Sequence, residues 1–96
     1  MQSPITRSSG NVFADLGFDP EEAALLTVKT HLLSALAEYA GGFATQQEAA
    51  QALGESRPRI SEIKNGKLSA FSTDKLLTLC SRAGIDVTID AHLAAA

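Results

Sequence analysis

Residues 45–66 constrain the fold of this chain more than any other segment. They predict a short helix that ends at Gly54 and a second helix that begins after Ser56. Glycine suits the left-handed conformation that ends a helix, and a serine side chain caps the first free amides of the next helix. Asn65-Gly66 supplies the same type of stop for the second helix. The segment therefore predicts two short helices joined by a tight turn.

Small and apolar side chains lie where the two predicted helices would cross. Ala49, Ala50 and Leu53 form the inner face of the first helix, and Ile60 and Ile63 form that of the second. Two helices can cross at about 100° with a tight turn only when small side chains separate them. The pattern is typical of a helix-turn-helix, in which the second helix enters the major groove of DNA. The alternative is an αα-hairpin that only packs.

Charge is divided unevenly along the chain, whose net charge is −3 at pH 7. Residues 1–54 carry −4, whereas residues 55–67 carry +2. Arg57, Arg59 and Lys64 project from the outer face of the second predicted helix. Positive charge is thus concentrated on the helix that is expected to meet phosphates, which favours DNA binding.

Length and composition are those of one small globular domain. The chain has 96 residues, of which 45% are apolar, and it has neither a run of transmembrane length nor the apolar N-terminal stretch of a signal peptide. Cys80 is the only cysteine, which excludes a disulfide within the chain. These features predict a cytoplasmic protein without a membrane partner.

The sequence pattern contains no arrangement that indicates catalysis. We find neither a phosphate-binding glycine loop nor a pair of carboxylates placed with a pocket. The two histidines are isolated, and with a single cysteine they do not form a ligand set at metal-binding spacing. We therefore expect no enzymatic activity, no metal and no cofactor.

The remaining segments predict a mainly α-helical bundle of four to five helices. Residues 1–11 are polar and predict a flexible N-terminal arm, whereas residues 12–91 predict a single domain. Helices are predicted at residues 19–40, 45–53, 56–65 and 73–83. They follow an apolar lead-in that comprises Val12, Phe13, Leu16 and Phe18.

The first long helix is predicted to begin with Asp19 as its cap and Pro20 in its first position. Its apolar stripe repeats at helical spacing and comprises Leu25, Val28, Leu32, Leu36 and Tyr39. Further apolar residues on one flank widen the stripe to about 160°. A stripe of this width indicates that the helix contacts more than its own core, and either the lead-in or a second chain would cover the flank.

Residues 85–91 alternate strictly between apolar and polar side chains, which predicts a half-buried strand. A lone strand leaves its backbone groups unpaired. The simplest partner is the same strand of a second subunit, antiparallel across a two-fold axis. We therefore expect a homodimer with Ile85, Val87 and Ile89 in its interface.

Four stretches of the chain carry a family resemblance. They are the lead-in, the segment Pro58-Arg59-Ile60-Ser61-Glu62-Ile63 with Asn65-Gly66-Lys67, the segment Phe71-Ser72-Thr73-Asp74-Lys75-Leu76, and the terminal Ile85-Asp86-Val87-Thr88-Ile89. In these stretches the chain resembles the Cro/repressor-type helix-turn-helix domains of the XRE family, and more closely the small antitoxins of HigA type. The resemblance covers residues 12–90, and it implies a bacterial, nucleoid-associated protein.

The resemblance implies which residues contact DNA. Gln46 would hold a phosphate, and Arg57 and Pro58 would meet base edges. The full set is Gln46, Ser56, Arg57, Pro58, Arg59, Ser61, Lys64, Asn65 and Lys67. Pro58 departs from the usual polar residue at its position, and it can make only an apolar contact. More of the base readout should therefore fall on Arg57.

The resemblance also implies a partner protein. Antitoxins of this type neutralise a RelE/HigB-like toxin that cleaves mRNA, and they bind double-stranded operator DNA as homodimers to repress their own operon. A toxin that grips mRNA must be basic, so acidic residues with apolar anchors form a suitable complement. The residues expected to bind the toxin are Phe13, Leu16, Phe18, Glu21 and Glu22.

Two other functions are compatible with the sequence. A stand-alone XRE-family regulator would bind DNA without a toxin partner. A protein-interaction module would retain a helix-turn-helix that no longer binds DNA. The wide first helix and the apolar lead-in favour the antitoxin over the stand-alone regulator, and the basic second helix argues against the interaction module.

Overall fold

The structure is a computed structural model that describes residues 12–93. Its elements in chain order are α1 Val12–Asp15, α2 Pro20–Gly41, α3 Gln46–Leu53, α4 Arg57–Lys64, a 3₁₀ helix Leu68–Ala70, and α5 Thr73–Ala83. Within the described range there are five α-helices and no strand, so the predicted mainly helical bundle is confirmed. The arm predicted at residues 1–11 lies outside the described residues.

Side-chain caps explain where the helices begin. Asp19 accepts hydrogen bonds from the amides of Glu21 at 2.9 Å and Glu22 at 3.3 Å, as its position before Pro20 predicted. Thr45 caps α3, and Ser56 and Ser72 cap α4 and α5 in the same way. The observed helices therefore agree closely with those predicted, because capping depends on residues that are adjacent in sequence.

The core lies between α2, α4 and α5, with α3 closing one side. Its buried members are Leu32, Leu33, Leu36, Ala40, Ala49, Ala50, Leu53, Ile60, Ile63, Phe71, Leu76, Leu79 and Cys80. Burial raises the pKa of the Cys80 thiol, as befits a small core side chain. The α3–α4 pair is thus supported from behind by α2 and α5.

Within the single chain, the apolar stripe of α2 is covered only in its C-terminal half. Leu25 is 50% exposed and Val28 is 43% exposed, and only Ala23 is buried in this part of the helix. The core cluster includes α2 only from Leu32 onward. Helical periodicity gives the direction of an apolar face but not the distance over which neighbouring helices cover it.

Residues 85–93 follow α5 without regular secondary structure. Ile85 is half-buried and packs against the core, whereas Val87 is 39% exposed and Ile89 is 75% exposed. A strand is defined by its pairing, and the partner expected for this segment belongs to a second chain. The strand predicted at residues 85–91 is therefore not formed in the single chain, and its pairing stays a prediction.

Candidate nucleic-acid interface

The turn between α3 and α4 is fixed by backbone geometry and by a cap. Gly54 ends α3 with a φ of +67°, a conformation that strains any side chain with a Cβ atom. The amide of Glu55 donates to the carbonyl of Ala50 at 2.9 Å. The exposed Ser56 then accepts a hydrogen bond from the amide of Arg59 at 3.4 Å. These bonds define the angle at which α4 leaves α3.

Helix α4 presents an apolar face to the core and a polar face to solvent. Ile60 and Ile63 are 0% exposed. Arg57, Pro58 and Lys64 are exposed on the outer side. Because the inner face already supplies the packing, the outer side chains can contact another molecule without loss of core contacts.

The structure brings together residues of α3 and α4 that were expected to contact DNA. One open depression on the surface is lined by Gln46, Arg57, Pro58 and Ser61. Lys64, Asn65 and Lys67 are exposed at the other end of α4. The Asn65 side-chain amide donates to Ser61 Oγ at 3.4 Å, which orients it along the helix end. The predicted contacts thus divide between the start of α4 and the loop after it.

Arg59 differs from the other expected contacts because its guanidinium is engaged inside the chain. Its Nη1 donates to Glu62 Oε1 at 3.0 Å and to the carbonyl of Ala70 at 2.9 Å. The guanidinium carbon lies 4.8 Å from the centroid of the Phe71 ring, and Phe71 is only 3% exposed. Arg59 would have to leave these partners to meet a base edge, so its predicted DNA contact stays a prediction.

The sequence analysis did not identify the ion cluster behind the turn. Glu55 Oε2 accepts from Lys75 Nζ at 2.7 Å and from Arg82 Nη1 at 3.0 Å, and Arg82 Nη1 also donates to the carbonyl of Leu53 at 3.1 Å. Partial burial alone would raise the pKa of Glu55, but the hydrogen bonds and charges of Lys75 and Arg82 outweigh it and lower that pKa. Lys75 and Arg82 are seven residues apart on one face of α5, and this spacing is the sequence signal by which a shared partner could have been found.

The residues expected to bind a toxin lie on α1, on the following turn and at the start of α2. Phe13 is half-buried, and its ring centroid lies 5.9 Å from that of Phe18 in an edge-on arrangement. Phe18 is itself 41% exposed, and Leu16 is 70% exposed. Glu21 and Glu22 are exposed at the start of α2. Apolar and acidic side chains therefore adjoin at this end of the molecule.

A second apolar region lies between α2, α5 and the C-terminal segment. Val28, Leu77, Val87 and Ile89 line a groove of about 320 Å³. Of the three residues expected in a dimer interface, Val87 and Ile89 thus border this groove, whereas Ile85 packs against the chain's own core.

Residues 12–93 contain no group of three or more histidine, cysteine or acidic side chains that could hold a metal ion. Within the same residues, no helix is both long and apolar enough to cross a membrane.

A comparison with protein families identifies the fold of residues 12–92, which match a family described as a helix-turn-helix domain. Comparisons with curated proteins and with solved structures gave no match. The family description specifies neither a partner protein nor an operator, and helix-turn-helix domains are typically DNA-binding modules rather than enzymes. The match spans α1 to the C-terminal segment and includes the α3–α4 pair, so this chain belongs to that family of helix-turn-helix domains.

Proposed function

We propose that this protein is a homodimeric DNA-binding repressor of its own operon that also acts as an antitoxin. The DNA-binding part rests on one observation: the exposed Arg57 and Pro58 at the start of α4 adjoin Gln46 of α3. This proximity supports a surface on which side chains contact base edges and the phosphate backbone together.

In this proposal α4 enters the major groove with its first turn against the bases. Arg57 carries most of the base readout, because a guanidinium can donate two hydrogen bonds to guanine. Gln46 contacts a phosphate and fixes the orientation of α4. Lys64 and Lys67 approach phosphates from the other end of the helix.

Two substitutions test this assignment. Arg57→Ala should weaken operator binding by roughly 1–3 kcal/mol and relax the preference at one base pair per half-site. Lys64→Ala should weaken binding to all sequences alike. It should also lower the salt slope, which is the steepness with which the logarithm of the binding constant falls with the logarithm of the salt concentration, by about one. Gel-shift titrations at several salt concentrations measure both effects. Unchanged operator affinity in the Arg57 variant would remove this residue from the interface.

The homodimer is proposed from the C-terminal segment. Val87 and Ile89 are partly exposed beside the exposed Val28 and Leu77, so this edge of the molecule offers apolar side chains and unpaired backbone to a second copy. Antiparallel pairing of residues 85–91 across a two-fold axis would cover them. Recognition helices about 34 Å apart would then meet two successive turns of one DNA face.

The antitoxin part is proposed from the opposite end of the chain. Leu16 and Phe18 are exposed next to Glu21 and Glu22, so apolar anchors adjoin negative charge. A basic toxin would gain binding energy mainly from the buried anchors and association rate from the acids. None of these residues belongs to α4, although Phe13 of the same expected set lines one depression with Lys64 and Asn65 at the end of that helix.

A toxin-binding assay separates these two contributions. Leu16→Ala should increase the dissociation rate of the neighbouring toxin, whereas Glu21→Lys with Glu22→Lys should slow association, most strongly at low salt. Leu93→Ala, and Glu38→Lys with Asp74→Lys, are the matched controls, because these exposed residues lie outside both the proposed toxin surface and the proposed dimer interface. Equal effects of the test and control variants would contradict the assignment of this surface.

A stand-alone regulator is the alternative function, and growth rescue distinguishes it from an antitoxin. Co-expression with the adjacent toxin should restore growth only when the lead-in is intact. Full rescue by a chain that lacks residues 1–18 would show that the lead-in serves this protein's own fold. Absence of any toxin gene beside this one would favour the stand-alone regulator.

A further inference from the structure

Arg59 makes three contacts that all lie within the chain. It pairs with Glu62 on its own helix, and it reaches 11 residues along the chain to the carbonyl of Ala70. Its guanidinium also covers the buried ring of Phe71. The last two partners belong to the segment that follows α4, so Arg59 joins the recognition helix to the loop after it.

The bonds of that loop form a closed circuit around Lys67. The Lys67 amide donates to the carbonyl of Glu62 at 3.0 Å, and the Lys67 carbonyl accepts from the amide of Ala70 at 3.1 Å. The Ala70 carbonyl in turn accepts from Arg59, whose guanidinium returns to Glu62. The backbone of Lys67 is thus held on both sides, while its side chain is exposed.

We infer that Arg59 is a positioning residue that holds Lys67 against the DNA backbone and does not contact bases or phosphates itself. The inference rests on the proposed DNA binding and assigns a role within that interface. The carboxylate of Glu62 neutralises the guanidinium of Arg59, so the pair adds no net charge toward a phosphate. Arg57, the same residue type two positions earlier, is exposed and is the matched control.

The first test needs no DNA. Arg59→Ala removes the bond that secures the Ala70 carbonyl, so hydrogen exchange at the amides of Lys67 and Ala70 should become about tenfold faster. Exchange at the amides of α3 should not change. Arg59→Lys keeps the charge but lacks the planar fork that contacts a carbonyl and a ring together, so it should behave like Arg59→Ala. Unchanged exchange in both variants would overturn the inference.

The second test uses the salt dependence of DNA binding. Arg59→Ala and Lys67→Ala should each lower the salt slope by about one, because both lose the same phosphate contact. The double variant should show the slope of either single variant. A direct phosphate contact of Arg59 would instead give a double variant with a slope lower by about two and would let Arg59→Lys restore the slope.

Base preference completes the test. Selection from a randomised operator should give Arg59→Ala the same preferred bases as the unmodified protein, while Arg57→Ala loses its preference at one position. If Arg59→Ala also relaxed the base preference, while Arg57→Ala lost its preference as expected, the inference about Arg59 would be overturned and the proposed DNA binding would stand. A protein that binds no DNA at any salt concentration would overturn the proposed function, and the exchange result would still decide whether Arg59 holds the loop.

Discussion

The centre of the molecule and the two terminal segments of the chain differ in how completely they bury apolar side chains. Between α2 and α5, Leu36, Leu53 and Leu76 are completely buried. At the ends, Leu16 is 70% exposed and Ile89 is 75% exposed. The ends are no less apolar in sequence, so the difference lies in what covers them. The centre completes its packing within one chain, whereas the terminal segments leave apolar side chains exposed.

The largest expected effect comes from removal of one end. A chain that lacks residues 86–96 keeps Ile85, which packs against the core, and should therefore remain folded. It should be a monomer in light scattering and should bind the operator about 10²- to 10⁴-fold more weakly, because two linked half-sites bind together. A truncated chain that still forms dimers would place the interface on another surface.

Truncation of a central side chain should act on the fold itself. Leu53→Ala removes a fully buried leucine between α3 and the rest of the core, and should lower the free energy of unfolding by about 2–5 kcal/mol. Ile89→Ala should change the unfolding of the monomer by less than about 0.5 kcal/mol. Urea titrations at low protein concentration compare the two. Similar losses would mean that Ile89 is covered within its own chain.

A smaller loss of stability is expected when the ion cluster of Glu55 behind the α3–α4 turn is disrupted. Glu55→Ala leaves the cations of Lys75 and Arg82 without their shared acceptor and should cost about 1–2 kcal/mol of stability. The exposed Glu38 on α2 is the control, and Glu38→Ala should cost less than about 0.5 kcal/mol. Equal melting temperatures for the two variants would show that the ion cluster does not contribute to the stability of the fold.

The smallest expected effect is the pH dependence of the same cluster. Because the pKa of Glu55 is lowered in the folded state, its contribution is complete above the usual value of 4.5 and is lost as pH falls through the folded pKa. Thermal unfolding should therefore show a steeper loss of stability in acid for the unmodified protein than for Glu55→Gln. Parallel curves for the two proteins would assign the acid sensitivity to other carboxylates.

The sequence predicted the parts of the fold that depend on neighbouring residues. The caps at Asp19 and Ser56 and the stop at Gly54 are local signals, and the helices begin and end where they indicate. The burial of the N-terminal half of α2 did not follow from the sequence. Leu25 and Val28 follow the right spacing, but whether they are buried depends on how far other elements extend.

The sequence likewise predicted some features of the candidate interface and not others. The exposure of Arg57 and Lys64 follows from the buried Ile60 and Ile63 on the opposite face of α4. The engagement of Arg59 does not follow from that spacing, because its partners lie on the segment after the helix. A helical wheel assigns Arg57 and Arg59 similar exposure, and only the three-dimensional structure distinguishes them.

The difference between the exposed Arg57 and the engaged Arg59 matters for any redesign of the surface of α4. A combinatorial library at Arg57 and Pro58 would vary exposed side chains only, so most of its members should fold. A library that also randomised Arg59 would mix changes in preference with changes in loop geometry. Transplanting a foreign recognition helix onto this scaffold would therefore require Arg59 to be kept together with the inward-facing Ile60 and Ile63.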